Sequence, residues 1–268
     1  PNSVHGDICT VKDYGEKKKK RRRRRRGKRD TFEYRTLETL VSSSIHRIEP
    51  KCEHFEYCGG CSFQHIQYNE QLNLKEGWLR KEFLKAADSY HIHHKLLPPT
   101  VDYLPIIKCN DIYHYRNKME FTFSPREFYQ SVPQTTDLDL RPVLGLHPSR
   151  QTNSTKKRWH DKIVNINKCY LQKNESNYIL NCIQKYIYNN NHIRLPVYDS
   201  IANEGFLRSV IIRTSHNNED NNEVFLEFRT GVPIHSEWIE ELELLKNHII
   251  EKCSSFAASS INIVGICY

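Results

Sequence analysis

The sequence predicts an α+β fold, an antiparallel sheet with helices around a group of cysteines. Three observations carry this reading. Tyr115, Asn117, Met119, Phe121 and Phe123 alternate with Arg116, Lys118, Glu120 and Thr122, the period of a strand with one mostly apolar face. Apolar residues recur at helical spacing in three other places. The runs FLRSVIIRTS and EVFLEFRT are rich in β-branched and aromatic residues, and the Asn-rich residues 217–222 between them read as a hairpin tip.

Taken in order, the first expected helix covers residues 69–87, where Leu72, Leu79, Phe83 and Ala86 share a face. Gly77 opposes it by about 1 kcal/mol. The alternating strand from Tyr115 follows. Ile179, Cys182, Ile183 and Tyr186 then mark a second helix, the two β-rich runs a strand pair, and Trp238, Leu242, Leu245 and Ile249 a third helix. The apolar run INIVGICY comes last. Strands and helices in this mixed order suit an antiparallel sheet covered by helices.

At 268 residues the chain is long enough for one large or two small domains with a real core. No apolar run approaches a membrane span and no secretory signal opens the sequence, so no membrane partner is expected. The net charge of +8 is local in origin. Residues 17–26 are all Lys or Arg; without them 30 basic residues face 32 acidic ones. So dense a block repels itself and stays solvated; it reads as a low-complexity insertion, a nuclear-localisation patch or a non-specific phosphate clamp. Residues 141–173 carry eight Lys or Arg against Asp161 alone, whereas residues 204–268 carry ten acidic and five basic residues. This change of sign along the chain suggests one face for a polyanion.

Nine cysteines, unevenly scattered, do not suggest a disulfide framework and point to a reducing compartment inside the cell. Three of them, Cys52, Cys58 and Cys61, form a C-x5-C-x2-C group with Gly59 and Gly60 between the last two. Thiolates select zinc or iron–sulfur clusters over hard cations. Structural zinc sites usually draw two close pairs of ligands, whereas three ligands from one loop with a distant fourth fit a 4Fe–4S cluster better. The glycines let the loop fold tightly and bring N–H groups toward an anionic cluster. Zinc, and three thiols merely packed in a small core, remain the other readings. For the fourth ligand, Cys182 lies on a helix's apolar stripe and reads as a buried hydrophobe. Cys109 stands in a turn-like segment and is open on spacing. Cys169 closes the strand-like KIVNINKC just before a helix and is the choice made here.

The segments CEHFEYCGGCSFQHIQYNEQLNLKEGWL, YRNKMEFTFS, LGLHPSR, DKIVNINKCYL and GFLRSVIIRTS occur in this order. Together they resemble the RNA (uracil-5)-methyltransferases of ribosomal and transfer RNA, from about Ser43 to the last residue. The resemblance implies that Cys52, Cys58, Cys61 and Cys169 bind a 4Fe–4S cluster, that RNA is the partner and that S-adenosyl-L-methionine is the methyl donor. HGDICTVKDYG looks like half of the family's N-terminal RNA-binding TRAM barrel. The organisation expected is then a partial TRAM-like segment with the basic insertion at 1–46, an iron–sulfur central domain at 47–260, and at 261–268 the start of a continuation. The family's S-adenosylmethionine-binding Rossmann-like domain, with nucleophile and base, is expected to be missing, and the chain alone to be inactive and monomeric.

Four further residues are candidates for RNA contact. Arg116 and Lys118, read on one polar strand face, suit phosphates. Phe63 and Gln64, beside the cysteines in sequence, suit an unstacked base. An ion pair for Arg116 and core packing for Phe63 are equally open. The function expected is that of the N-terminal and central part of an RNA (uracil-5)-methyltransferase forming 5-methyluridine, with a stand-alone iron–sulfur or zinc RNA-binding module as the alternative.

Overall fold

Alternation in the sequence becomes a sheet at Lys118–Ser124, where Met119, Phe121 and Phe123 turn inward and Lys118 and Glu120 outward. The computed structural model describes residues 3–12, 36–94, 102–128, 141–149, 161–191, 194–215, 222–232, 235–256 and 261–268. The basic tract at 17–26 and nearly all of the Asn-rich tip lie outside these residues.

The chain divides into two units, Pro1–Pro50 with Phe63–Cys109, and Lys51–Ser62 with Asn110–Tyr268. In the first, β1 (Ile8–Lys12) and β2 (Thr36–Ser42) pair antiparallel, with irregularities in register beside Cys9 and Val11. Asp7, its side chain 1% exposed, locks the start of this pair: its carboxylate accepts the Ser44 N–H at 2.9 Å and Arg47 Nη2 at 2.6 Å. Helix α1 (Tyr68–His94) runs seven residues past the expected end at 87. Gly77 lies in it with no atom within 4 Å of a Cβ, so its cost is the intrinsic one alone.

In the second unit, β3 (Lys118–Ser124), β4 (Val143–Leu146), β5 (Val164–Asn165), β6 (Leu207–Thr214), β7 (Asn222–Thr230) and β8 (Ile261–Cys267) form one six-stranded sheet in the order β5-β4-β3-β6-β7-β8. Central β6 is buried at Val210, Ile211 and Ile212 in succession, with Val210 and Ile212 in the core shared with the helices. Helices α2 (Asn174–Tyr186) and α3 (Ser236–Ser254) supply Ile179, Leu180, Ile183, Leu242, Leu245 and Ile249 to the core around Phe121, Phe206 and Phe228. Burial of each such side chain contributes about 1.5–3 kcal/mol. A π-helical turn, Ile187–Asn191, continues α2.

Two parts of the expected fold class are corrected. The sheet is mixed, because β8 pairs parallel with β7 (Val224↔Ile263) after the crossover through α3. Alternation within one strand carries no information about that return; a parallel neighbour requires a crossover, which here is α3. The β7–α3–β8 unit is also the module from which parallel nucleotide-binding sheets are built. With a mixed six-stranded sheet and its helices in place, the expected absence of an S-adenosylmethionine-binding part is withdrawn as well. Among the described residues no helix is long and apolar enough to cross a membrane.

Hydrogen bonding from Arg47 holds the Asp7 carboxyl well below the usual carboxylate range, against the opposing effect of burial. A depressed folded-state pKa gives stability that is complete above the unfolded value of about 3.9 and is lost as pH falls toward the folded value. Asp7→Asn is therefore expected to lower stability by about 1.5–3 kcal/mol at neutral pH. In urea unfolding the gap between the two proteins should narrow below about pH 4, and a gap unchanged at pH 3 would contradict the assignment.

Candidate metal centre

The segment carrying Cys52, Cys58 and Cys61 belongs to the second unit, as does Cys169. It is a chain of tight turns, in which Phe55 N–H donates to the Cys52 carbonyl at 3.1 Å and Cys58 N–H to the His54 carbonyl at 2.7 Å. It then pairs with the end of β4: Gly59 N–H donates to the His147 carbonyl at 2.9 Å, and Ser149 N–H to the Tyr57 carbonyl at 2.7 Å. A Cβ at Gly59 would stand 2.9 Å from the His147 oxygen and 3.3 Å from that of Pro148, both backbone atoms. Only glycine lets the loop approach so closely. Gly60 N–H points at Cys58 Sγ, 3.4 Å away.

Cys169 arrives from the other side, five residues before α2. Asn177 of that helix grips it at both backbone groups: Oδ1 accepts the Cys169 N–H at 2.8 Å, and Nδ2 donates to the Cys169 carbonyl at 3.0 Å. Gln172 Nε2 donates to the same Oδ1 at 2.8 Å. His54 ties the loop to this run, with one ring nitrogen 3.0 Å from Asn167 Oδ1 and the other 3.0 Å from the Tyr57 hydroxyl. These polar clamps escaped the sequence reading. The available signal was Asn177 and Gln184 on the same inner helix face as Leu180, where a polar residue must find a buried partner.

The four thiols stand close enough to act on one another. Burial pushes the Cys58 thiol up to about 12, with Cys61, Cys52 and Cys169 adding to the shift. Burial likewise raises Cys52, reinforced by Cys61 and Cys169. Among the described residues, no group of three or more His, Cys, Asp or Glu side chains is set to hold a metal ion. Of the other cysteines, Cys182 and Cys253 are buried between α2 and α3, where burial raises both and takes Cys253 to about 12. Cys109 is exposed and belongs to the first unit.

The candidate RNA residues fall in different places. Strand β3 begins at Lys118, so Arg116 precedes it: its N–H donates to the Leu171 carbonyl at 2.8 Å and its Nη1 lies 3.7 Å from Met119 Sδ. Lys118 is exposed and opposite Arg213 in register. Phe63 and Gln64 are half-buried in the first unit, with the Phe63 ring 5.7 Å from that of Trp78.

No family model matches the chain. Curated relatives do. A protein of Bacteroides thetaiotaomicron is 30% identical over 196 residues, covering 72% of this chain and 39% of the relative. One of Chlorobaculum tepidum is 31% identical over 191 residues, covering 70% and 35%. One of Porphyromonas gingivalis is 30% identical over 224 residues, covering 82% and 42%. Each carries the name uncharacterized RNA methyltransferase, and this chain spans between 35% and 42% of their lengths. Among solved structures, the Pyrococcus abyssi tRNA (uracil-54, C5)-methyltransferase in complex with S-adenosyl-L-homocysteine matches with a TM-score of 0.46 and 22% identity, over 76% of this chain and 37% of that one. The relatives set the class, the RNA methyltransferases. The chain belongs to that family.

Asn177→Ala removes both bonds to the Cys169 backbone and is expected to cost about 2–3 kcal/mol. Gly59→Ala is expected to cost about 1–3 kcal/mol by overpacking against backbone. Gly77→Ala, in open space within α1, should gain about 0.5–1 kcal/mol. Urea melts rank the three, and equal midpoints for the two glycine variants would contradict the packing described.

Proposed function

We propose that the chain is the RNA-engaging, cluster-holding part of an S-adenosylmethionine-dependent enzyme that forms 5-methyluridine in ribosomal or transfer RNA. Cys52, Cys58, Cys61 and Cys169 hold a 4Fe–4S cluster. The observation that carries this is the approach of Cys169 to a loop more than a hundred residues earlier, each thiol within electrostatic reach of others. A single zinc ion draws every sulfur to about 2.3 Å from one point. Three ligands from one loop with a distant fourth, the spacing of these cysteines, fit a 4Fe–4S cluster better. Burial opposes the Cys58 and Cys52 thiolates, and the iron of a cluster would supply positive charge that offsets them.

Addition of a methyl group to C5 of uracil involves no net electron transfer, so the cluster serves as a clip. It fastens the 52–61 loop to the run before α2. S-adenosylmethionine supplies the methyl group when bound. Lys118 and Arg116 bind phosphates, and Phe63 and Gln64 meet an unstacked base.

Nucleoside analysis of RNA from cells lacking the gene tests the reading. The expected result is loss of 5-methyluridine at one site in ribosomal or transfer RNA, restored by the wild-type gene and not by Cys58→Ala. Unchanged 5-methyluridine in both RNA classes would overturn it.

A further inference from the structure

Beside the four thiols lies a group of side chains for which neither the fold nor the cluster gives a use. Lys51 and Lys168 each precede a cysteine of the group, Cys52 and Cys169. The Lys51 ammonium stands 4.8 Å from the ring centres of both Tyr113 and Tyr170, and that of Lys168 stands 4.9 Å from Tyr170. The two rings meet edge to face, 6.1 Å apart. Both rings are half-buried and both lysines exposed. Tyr113 also lies within electrostatic reach of Cys61 and Cys52.

The backbone fixes the pair. His114 adopts a left-handed conformation, φ 55°, uncommon for a residue with a side chain. From it the His114 N–H donates to the Tyr170 carbonyl at 2.8 Å, and the His114 ring meets the Gln172 carbonyl at 2.7 Å. Strained backbone of this kind gathers at binding sites. Among the described residues neither lysine has a carboxylate partner, so both charges are available to a polyanion. Ammonium groups beside partly exposed aromatic rings are what a single-stranded nucleic acid needs, the rings for its bases and the ammonium groups for its phosphates.

We propose that Lys51, Tyr113, Lys168 and Tyr170 form a stacking platform for an unpaired nucleotide of RNA held next to the cysteine cluster. The proposal rests on the RNA reading above and adds the residues and the single-stranded form of the ligand. A base stacks on the tyrosine pair while the flanking phosphates meet Lys51 and Lys168. A duplex keeps its bases inside and has only its backbone to offer.

Fluorescence anisotropy of the full chain with a labelled single strand of roughly 12 nucleotides, against the same sequence as a duplex, tests this. Tyr113→Ala and Tyr170→Ala should each weaken single-strand binding on the order of tenfold or more, and Tyr113→Phe should retain it. Lys51→Ala and Lys168→Ala should each reduce the salt slope by about 0.7. In the intact chain, where no variant can misfold, photocrosslinks from a strand containing 4-thiouridine should map to Tyr113 or Tyr170. Binding that survives both alanine variants unchanged, or crosslinks confined to other residues, overturns the platform and leaves the RNA reading standing. Absence of RNA binding by the wild-type chain overturns both.

Discussion

The placing of four thiols in the second unit, Cys58 and Cys169 buried and Cys52 and Cys61 partly so, is the constraint on which the local structure depends, because a buried thiolate is costly without a compensating cation. Burial pushes Cys58 up to about 12, so its surroundings favour a proton on sulfur over the bare thiolate. Bringing Cys169 into that position takes a buried asparagine on α2, a histidine bonded across to Asn167, and a glycine pressed against the β4 end. Each of these bonds is made within the protein and holds the site together independently of what occupies it. Neutral bonds of this kind contribute about 1 kcal/mol each, and far more is lost when one buried partner is removed.

The sheet that carries this site has two unlike faces. One packs on α2 and α3 through aliphatic side chains. The other bears a charged network, with Arg229 bonded to Glu120 at 2.9 Å and to Glu227 at 3.0 Å, and Arg213 3.7 Å from Glu227. Such exposed pairs add little stability. Their effect is to neutralise the arginines, whereas Lys118 at the start of β3 has no carboxylate partner among the described residues.

Much of this was legible in the sequence. The β3 alternation, the α2 and α3 stripes and the burial of Cys182 followed from period and polarity, because an inward position must be apolar and a strand's period is two. The choice of Cys169 as fourth ligand came from ligand chemistry and family motifs, and the structure places it in the same unit as the other three. What stayed hidden depends on partners distant in sequence. An asparagine such as Asn177 reads as surface until the backbone it grips is known. The parallel return of β8 leaves no local pattern, which is why the sheet was expected to be antiparallel. Helix α1 runs unbroken through Gly77 because a single glycine in open space is a small penalty, easily outweighed by the residues around it.

Iron and acid-labile sulfide, counted per chain after anaerobic reconstitution, test the central claim most directly. The account predicts about four of each, with the broad visible absorption of a Cys-ligated cubane. It also predicts that Cys169→Ala loses the cluster or keeps a labile three-iron form, whereas Cys109→Ala and Cys182→Ala retain it. One zinc per chain with no iron uptake, or full iron in Cys169→Ala, would contradict it.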